Sequence, residues 1–154
     1  MKIGVLLPSR FEDPGEFLAD ARAMEAAGAD SVWMEDDGER DPLLALAAIA
    51  AVTSQIRLGL ILPGDSPSPA RGGGSGRGLE TLQHLSRQRV ITLPGAERWR
   101  RVEVPADREA WARTLQEAHA AVDGVIVPLD PRLLDILRHP EEAIDRSDLM
   151  LAQG

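Results

Sequence analysis

The chain has 154 residues, a formal net charge of −8 and no cysteine. Its length suits one domain and falls short of the roughly 200–250 residues of a complete eight-unit βα barrel. The acidic charge argues against nucleic acid as a partner, because binding a phosphate backbone requires clustered cations. The lack of cysteine excludes disulfides and thiolate metal sites.

The hydropathy pattern limits the compartment that we expect. No apolar run approaches the roughly 18 residues of a membrane-spanning helix. Met1 leads directly into a predicted strand, without the pattern of a signal peptide. We therefore expect a cytoplasmic protein that has no membrane partner.

Residues 1–63 alternate between short apolar segments and longer segments of helical periodicity. Asp13-Pro14 and Asp41-Pro42 are typical helix starts, since aspartate caps a helix and proline suits its first position. The alternation predicts a parallel sheet covered by helices. The predicted strands lie in 2–10, 29–37 and 55–63, and the predicted helices lie in 13–28 and 41–54.

Residues 63–78 interrupt this pattern with a composition dense in Pro, Gly and Ser, which predicts a flexible loop. Its glycine run, 71–78, is compatible with phosphate binding through backbone N–H groups. The run fits no G-x-G-x-x-G register and follows no strand directly, so a linker is the favoured interpretation.

Helices and strands resume after the loop, within one predicted domain that covers 1–154. The predicted elements are a helix over 79–85, a strand over 89–93, a helix over about 108–121, a strand over 124–128 and a last helix from 131 that stops at His139-Pro140. Residues 141–154 are expected at the surface. Trp99 lies among arginines and is interpreted either as an exposed contact residue or as a packed anchor. His84, His119 and His139 lack the spacing of metal ligands, so no metal site is predicted.

Several segments resemble the luciferase-like monooxygenase family. They are 26–36 (AAGADSVWMED), 41–43 (DPL), 50–59 (AAVTSQIRLG) and 81–89, where the family typically reads T-L-x-x-L-S-x-G-R. Residues 124–140 resemble the last strand and helix of the family's barrel. The resemblance implies a member that lacks the middle units: an abridged TIM-type βα barrel of about five parallel strands. A five-stranded doubly wound open sheet is the alternative that the pattern allows without the family.

The resemblance also implies an oxidoreductase or monooxygenase that holds FMN or coenzyme F420, a deazaflavin, at the C-terminal ends of its strands. The cofactor-binding candidates carried over from the family are Pro8, Ser9, Glu35, Gly59, Leu60 and Ile61. Asp36 and Asp37 are the catalytic candidates, because closely placed carboxylates can raise one another's pKa and give a general acid or base. The alternative interpretation of the acidic residues within 35–41 is a solvated loop that ends at Asp41, the cap of the second helix.

The small number of βα units has a consequence for partners. Five units leave unpaired strand edges and apolar surface, so we expect a homodimer that closes the sheet, with a full-length paralogue as another partner. Two functions follow: a flavin- or deazaflavin-dependent oxidoreductase, or a non-catalytic scaffold or partner subunit that has lost cofactor binding.

Overall fold

A computed structural model describes residues 1–63 and 75–138. The predictions for most of the loop, for the stop at His139-Pro140 and for the tail lie outside these residues. Within the described residues the strands are β1 (Lys2–Leu6), β2 (Ser31–Glu35), β3 (Arg57–Ile61), β4 (Val90–Leu93), β5 (Trp99–Arg101) and β6 (Gly124–Pro128). The helices are α1 (Pro14–Ala26), α2 (Pro42–Val52), α3 (Ser75–Leu85), α4 (Arg108–His119) and α5 (Pro131–Arg138).

The helix starts follow from local chemistry. The Asp13 carboxylate accepts hydrogen bonds from the N–H groups of Gly15 and Glu16, and that of Asp41 accepts one from Leu43. Both Asp-Pro predictions are therefore confirmed. The third helix begins at Ser75, earlier than predicted. The prediction began at 79 because Gly76 and Gly78 have low helix propensity. A Cβ on Gly78 would lie 3.1 Å from Leu43 Cδ1, so glycine at this position lets α3 approach α2.

The strands form one parallel sheet in the order β4-β3-β2-β1-β6-β5. Strands β2, β3 and β4 follow one another on one side of β1. Strands β6 and β5 extend the sheet on the other side of β1, in the order that a closed barrel would have. All five helices contribute to one core on one face of the sheet. A doubly wound sheet carries helices on both faces. The partial barrel is therefore confirmed, and the doubly wound alternative is wrong.

The strand count differs by one from the prediction. The additional strand, β5, is only three residues long and reads Trp-Arg-Arg, so its sequence lacks the apolar run that marks a buried strand. It pairs on one side with β6, in parallel. The basic stretch around Trp99 is thus part of the sheet.

The face of the sheet away from the helices has its own core, which we call the inner core. It consists of Trp33, Ile61, Trp99 and Ile126, with Leu6, Ile91 and Leu93 packed against them. Trp33 is fully buried, and its indole N–H donates to Ser31 Oγ at 2.8 Å. Trp99 is 8% exposed, which confirms the packed-anchor interpretation of this residue.

Glycines make room for the two indoles. A Cβ on Gly4 of β1 would lie 2.3 Å from Trp33 Nε1, and one on Gly59 of β3 would lie 2.1 Å from Trp33 Cδ2. A Cβ on Gly124 of β6 would likewise lie 2.3 Å from Trp99 Cζ3. The Trp33 ring is therefore held against the backbones of both strands that flank β2.

Contacts across the inner core show how strongly the sheet curls. Two strands separate β2 from β5, which would set them about 14 Å apart in a flat sheet. The rings of Trp33 and Trp99 nevertheless meet edge to face with centroids 5.0 Å apart. Glu97, just before β5, pairs with Lys2 and, at 3.0 Å, with Arg57 at the start of β3, on the other side of β1 in the sheet.

The inner core weakens one of the two arguments for a homodimer, the one from exposed apolar surface. That argument assumed exposed apolar surface on an incomplete barrel, whereas Trp33, Ile61, Trp99 and Ile126 on the inner face are at most 8% exposed. The outer edge strand β5 is short and carries exposed Arg100 and Arg101, features that oppose edge-to-edge pairing. The homodimer itself stays a prediction.

Candidate active site at the strand ends

The loops that follow the strands meet at one end of the sheet, where βα barrels hold their sites. We call this region the mouth. It contains Pro8, Ser9, Arg10, the segment 35–40, Leu62 and Arg101. The structure thus brings together the predicted residues Pro8, Ser9, Glu35, Asp36 and Asp37.

Polar contacts join the loops after β1 and β2. The Ser9 hydroxyl donates to the Asp37 carboxylate, and Arg10 pairs with Glu39. Arg40 donates to the Phe11 carbonyl at 2.7 Å and lies 4.5 Å above the centroid of the Phe11 ring. These contacts fix the position of the acidic segment over the end of β1.

The two catalytic candidates lie in a turn. Asp36 accepts from the N–H of Gly38 at 3.2 Å, and Asp37 accepts from the N–H of Glu39 at 3.0 Å. Gly38 has a φ of +79°, which suits glycine at this turn. The Ser9 hydroxyl and then the Glu39 N–H hold the pKa of Asp37 below its usual value. Asp37 is therefore an ionised acceptor at neutral pH, and a role as proton donor is disfavoured.

A second charged group reaches the mouth from β5. Arg101 Nη2 donates to Glu35 Oε1 at 2.6 Å, and the two side chains are 49% and 44% exposed. Sequence reasoning missed Arg101 because it assigned no strand there. The alternation of Trp99 and Arg101 was the available signal, since residues two apart on a strand share a face.

The candidates carried over from β3 lie deeper. Gly59 is covered by the Trp33 ring, Ile61 belongs to the inner core, and Leu60 belongs to the core on the helix side. Their assignment to cofactor binding stays a prediction, as does that of the other candidates.

A cavity of about 760 Å³ lies beside the mouth, between α2 and α3. Its lining combines charged side chains with apolar ones, among them Asp36, Glu39, Arg40, Leu60, Leu62 and Leu85. This volume is within the range of ligand pockets, roughly 300–1,000 Å³.

Comparison with known proteins identifies the family. The family model described as luciferase-like monooxygenase matches residues 1–118. The chain belongs to the luciferase-like monooxygenase family. The match runs from β1 almost to the end of α4 and so includes the segments on both sides of the mouth. No curated protein matches the chain.

Two solved structures resemble this family member. The crystal structure of the monooxygenase RslO1 from Streptomyces bottropensis has 20% sequence identity and a TM-score of 0.44, over 80% of this chain and 40% of that one. The crystal structure of a Gox0644 variant in complex with NADPH has 15% identity and a TM-score of 0.38, over 90% and 49%. The chain spans less than half the length of either structure.

Residues 1–63 and 75–138 contain no group of three or more histidine, aspartate or glutamate side chains placed to hold a metal ion. Among the helices in the same ranges, none is long and apolar enough to cross a bilayer.

One position departs from the family pattern. Gln88 stands where the family motif has glycine, and it adopts a φ of 64° directly after Arg87 at 56°. The following arginine keeps its place: Arg89 donates to the carbonyls of Ala50, Thr53, Ile56 and Ser86 and to the Thr53 hydroxyl. It therefore ties the end of α2 to the starts of β3 and β4.

Proposed function

We propose that this luciferase-like family member is a flavin- or deazaflavin-dependent oxidoreductase that binds FMN or coenzyme F420 at the mouth. The observation that carries the proposal is the family match over residues 1–118, which includes every residue of the mouth. General experience with βα barrels supports the location, because their sites lie at the C-terminal ends of the strands.

The mouth has groups that suit a planar, partly charged ligand. The inner core closes the inside of the sheet with apolar side chains, among them Trp33, Trp99 and Ile61, which are at most 8% exposed. Arg101 supplies a half-exposed guanidinium at the mouth, where it pairs with Glu35, and guanidinium groups match phosphate oxygens in geometry. A bound flavin would supply the hydride or oxygen chemistry.

In this proposal Asp36 and Asp37 contact the substrate, with Asp36 as the proton acceptor. The Ser9 hydroxyl holds Asp37 ionised by lowering its pKa, which makes Asp37 a weak base, so its part is to accept a hydrogen bond from the substrate and orient it. D36N and D37N are expected to lower turnover by roughly 100-fold while flavin affinity changes little. E117Q, an exposed carboxylate on α4, is the matched control.

The binding test is a titration of FMN, riboflavin and coenzyme F420 with the purified protein. We expect saturable quenching of the ligand's fluorescence and one ligand bound per chain. Emission that stays proportional to added ligand for all three compounds would rule out the proposal.

A second candidate function is a non-catalytic partner subunit. Glu35, Asp36, Asp37 and Glu39 place four carboxylates around one loop, and their charge opposes the approach of a phosphate. The partner in this case is a second copy or a full-length relative. Light scattering at micromolar concentration tests self-association: a homodimer is the proposed result, and a stable monomer would exclude it.

A further inference from the structure

Strand β4 forms one edge of the sheet, since β3 is the strand that pairs with it among the described residues. The Leu58 N–H donates to the Arg89 carbonyl at 2.9 Å, so the odd-numbered positions of this stretch direct their backbone groups toward β3. Peptide groups alternate along a strand, so Val90 and Thr92 direct theirs to the free side. A free strand edge of this kind is a template for pairing with another chain.

The side-chain amide of Gln83, near the end of α3, covers the free side of Val90. Its Nε2 donates to the Val90 carbonyl at 3.0 Å, and its Oε1 accepts from the Val90 N–H at 3.1 Å. A neighbouring strand would offer the same two groups, one donor and one acceptor, to a residue at this position. The amide of Gln83 therefore replaces the hydrogen bonds of a further strand.

The other outward-facing residue of β4 is covered by the turn that follows the strand. Thr92 Oγ1 donates to the Pro94 carbonyl at 3.3 Å. A Cβ on Gly95 would lie 2.2 Å from the Thr92 carbonyl oxygen, so the Gly95 backbone lies directly against this acceptor. Both outward-facing residues of β4 are thus covered by the chain itself.

A cavity of about 460 Å³ lies on the same side of β4, between α3 and the segment 96–99. Its lining includes Glu80 and Gln83 of α3, Val90 and Thr92 of β4, and Trp99. A strand added to β4 would run about 4.8 Å from it, where the Gln83 amide now lies. Without that amide, the N–H and carbonyl of Val90 would face the cavity.

We propose that Gln83 caps the sheet edge and keeps two copies of this chain from joining through β4. The excluded partner is the β4 strand of a second copy, because two identical edges can pair in antiparallel fashion around a two-fold axis. The inference does not depend on flavin binding or on the proposed function. It restricts the predicted homodimer to surfaces other than the β4 edge.

Two substitutions of Gln83 and one control separate the cap from a general effect on stability. Q83M removes both hydrogen-bonding groups and keeps the length of the side chain, whereas Q83A also opens the place that the amide fills. Q116A is the matched control, because Gln116 is an exposed glutamine on α4, far from β4 in the sequence. Thermal unfolding checks that the three variants fold.

The first arm measures amide hydrogen exchange at Val90 by NMR. The Val90 N–H is expected to exchange about tenfold faster in Q83M and Q83A than in the wild type and Q116A, because its acceptor is lost. The Leu58 N–H, which donates across β3 and β4, is expected to exchange at the same rate in all four proteins. Equal exchange at Val90 in all four proteins would overturn the inference.

The second arm measures self-association by sedimentation from micromolar to millimolar concentration. Q83A is expected to associate at least about tenfold more tightly than the wild type and Q116A, and its exchange at Val90 is expected to slow as the concentration rises. Q83M is expected to change in the same direction, so it decides the outcome if Q83A does not fold. Association that is the same in the wild type and the Gln83 variants, or that leaves their exchange at Val90 independent of concentration, would overturn the inference.

Discussion

Gly59→Ala tests whether Trp33 fills the inside of the sheet as described. The new Cβ would lie 2.1 Å from Cδ2 and 2.3 Å from Cε3 of the Trp33 ring, whereas carbon atoms in contact prefer about 3.5–4.0 Å. The ring cannot move away from β3 without approaching β1, where the space for a Gly4 Cβ is already taken by Nε1. Both flanking strands are hydrogen-bonded to β2, so neither strand can easily move away to make room for the new methyl group.

The expected cost follows from this geometry. Overpacking of a rigid core costs about 1–3 kcal/mol or somewhat more, and alanine recovers about 0.5–1 kcal/mol over glycine in a strand. The 2.1 Å contact places this site at the upper end of the overpacking range, so we expect G59A to lower the free energy of unfolding by about 2 kcal/mol, measured by urea denaturation. For a domain of this size the change corresponds to a fall in Tm of very roughly 5–10 °C.

A control and a double mutant make the test specific. A Cβ added at Gly76 in α3 would meet no neighbouring atom within 4 Å, so G76A is expected to be neutral or stabilising. In a W33L background the methyl group that G59A introduces has room, so the two substitutions should couple by about 2 kcal/mol. Additive effects of W33L and G59A, or a G59A protein as stable as the wild type, would refute the position assigned to Trp33.

Three further predictions concern stability, each measured by urea denaturation. Q88G is expected to raise the free energy of unfolding by about 1 kcal/mol, because glycine adopts a φ of 64° without the steric cost that glutamine bears, and a loss of stability would contradict this. R89M is expected to lower the free energy of unfolding by about 3 kcal/mol, since it removes hydrogen bonds to several partly buried acceptors, and a change below about 0.5 kcal/mol would contradict this. E97Q tests the pH dependence of stability, because the hydrogen bond from Lys2 and the pairing with Arg57 hold the pKa of Glu97 below its usual value. The ionised Glu97 therefore stabilises the fold above about pH 4.5, by roughly 1 kcal/mol or less. This contribution is lost as the pH falls through the lowered pKa. A stability difference between E97Q and the wild type that stays constant down to about pH 3 would contradict the assignment.

The sequence was informative where structure is decided locally. Asp13 and Asp41 cap their helices through hydrogen bonds to residues two or three positions ahead, and such contacts can be inferred from the order of residues alone. The apolar strands before residue 63 and their parallel arrangement follow from alternation with helices. The family resemblance added the expectation of a partial barrel, which the winding of the sheet bears out.

The inside of the sheet was less predictable, since it depends on contacts between distant residues. Glu35 and Arg101 are 66 positions apart, and nothing near either residue specifies the other. The role of Gly59 as space for an indole depends on which strands flank β2 and on how far the sheet curls. The strand at 99–101 is too short, and too rich in arginine, for a hydrophobic pattern to reveal it.

The energy transfer from tryptophan to flavin tests the central claim, flavin binding at the mouth, most directly. Trp33 and Trp99 are buried inside the sheet, two residues before Glu35 and Arg101 on their strands, so a flavin bound at the mouth lies near enough to both indoles for energy transfer. FMN titration is predicted to quench the tryptophan emission in a saturable manner, with the same midpoint as the quenching of the flavin's own fluorescence. Tryptophan emission that falls only in proportion to the absorbance of added FMN, without saturation, would contradict the account.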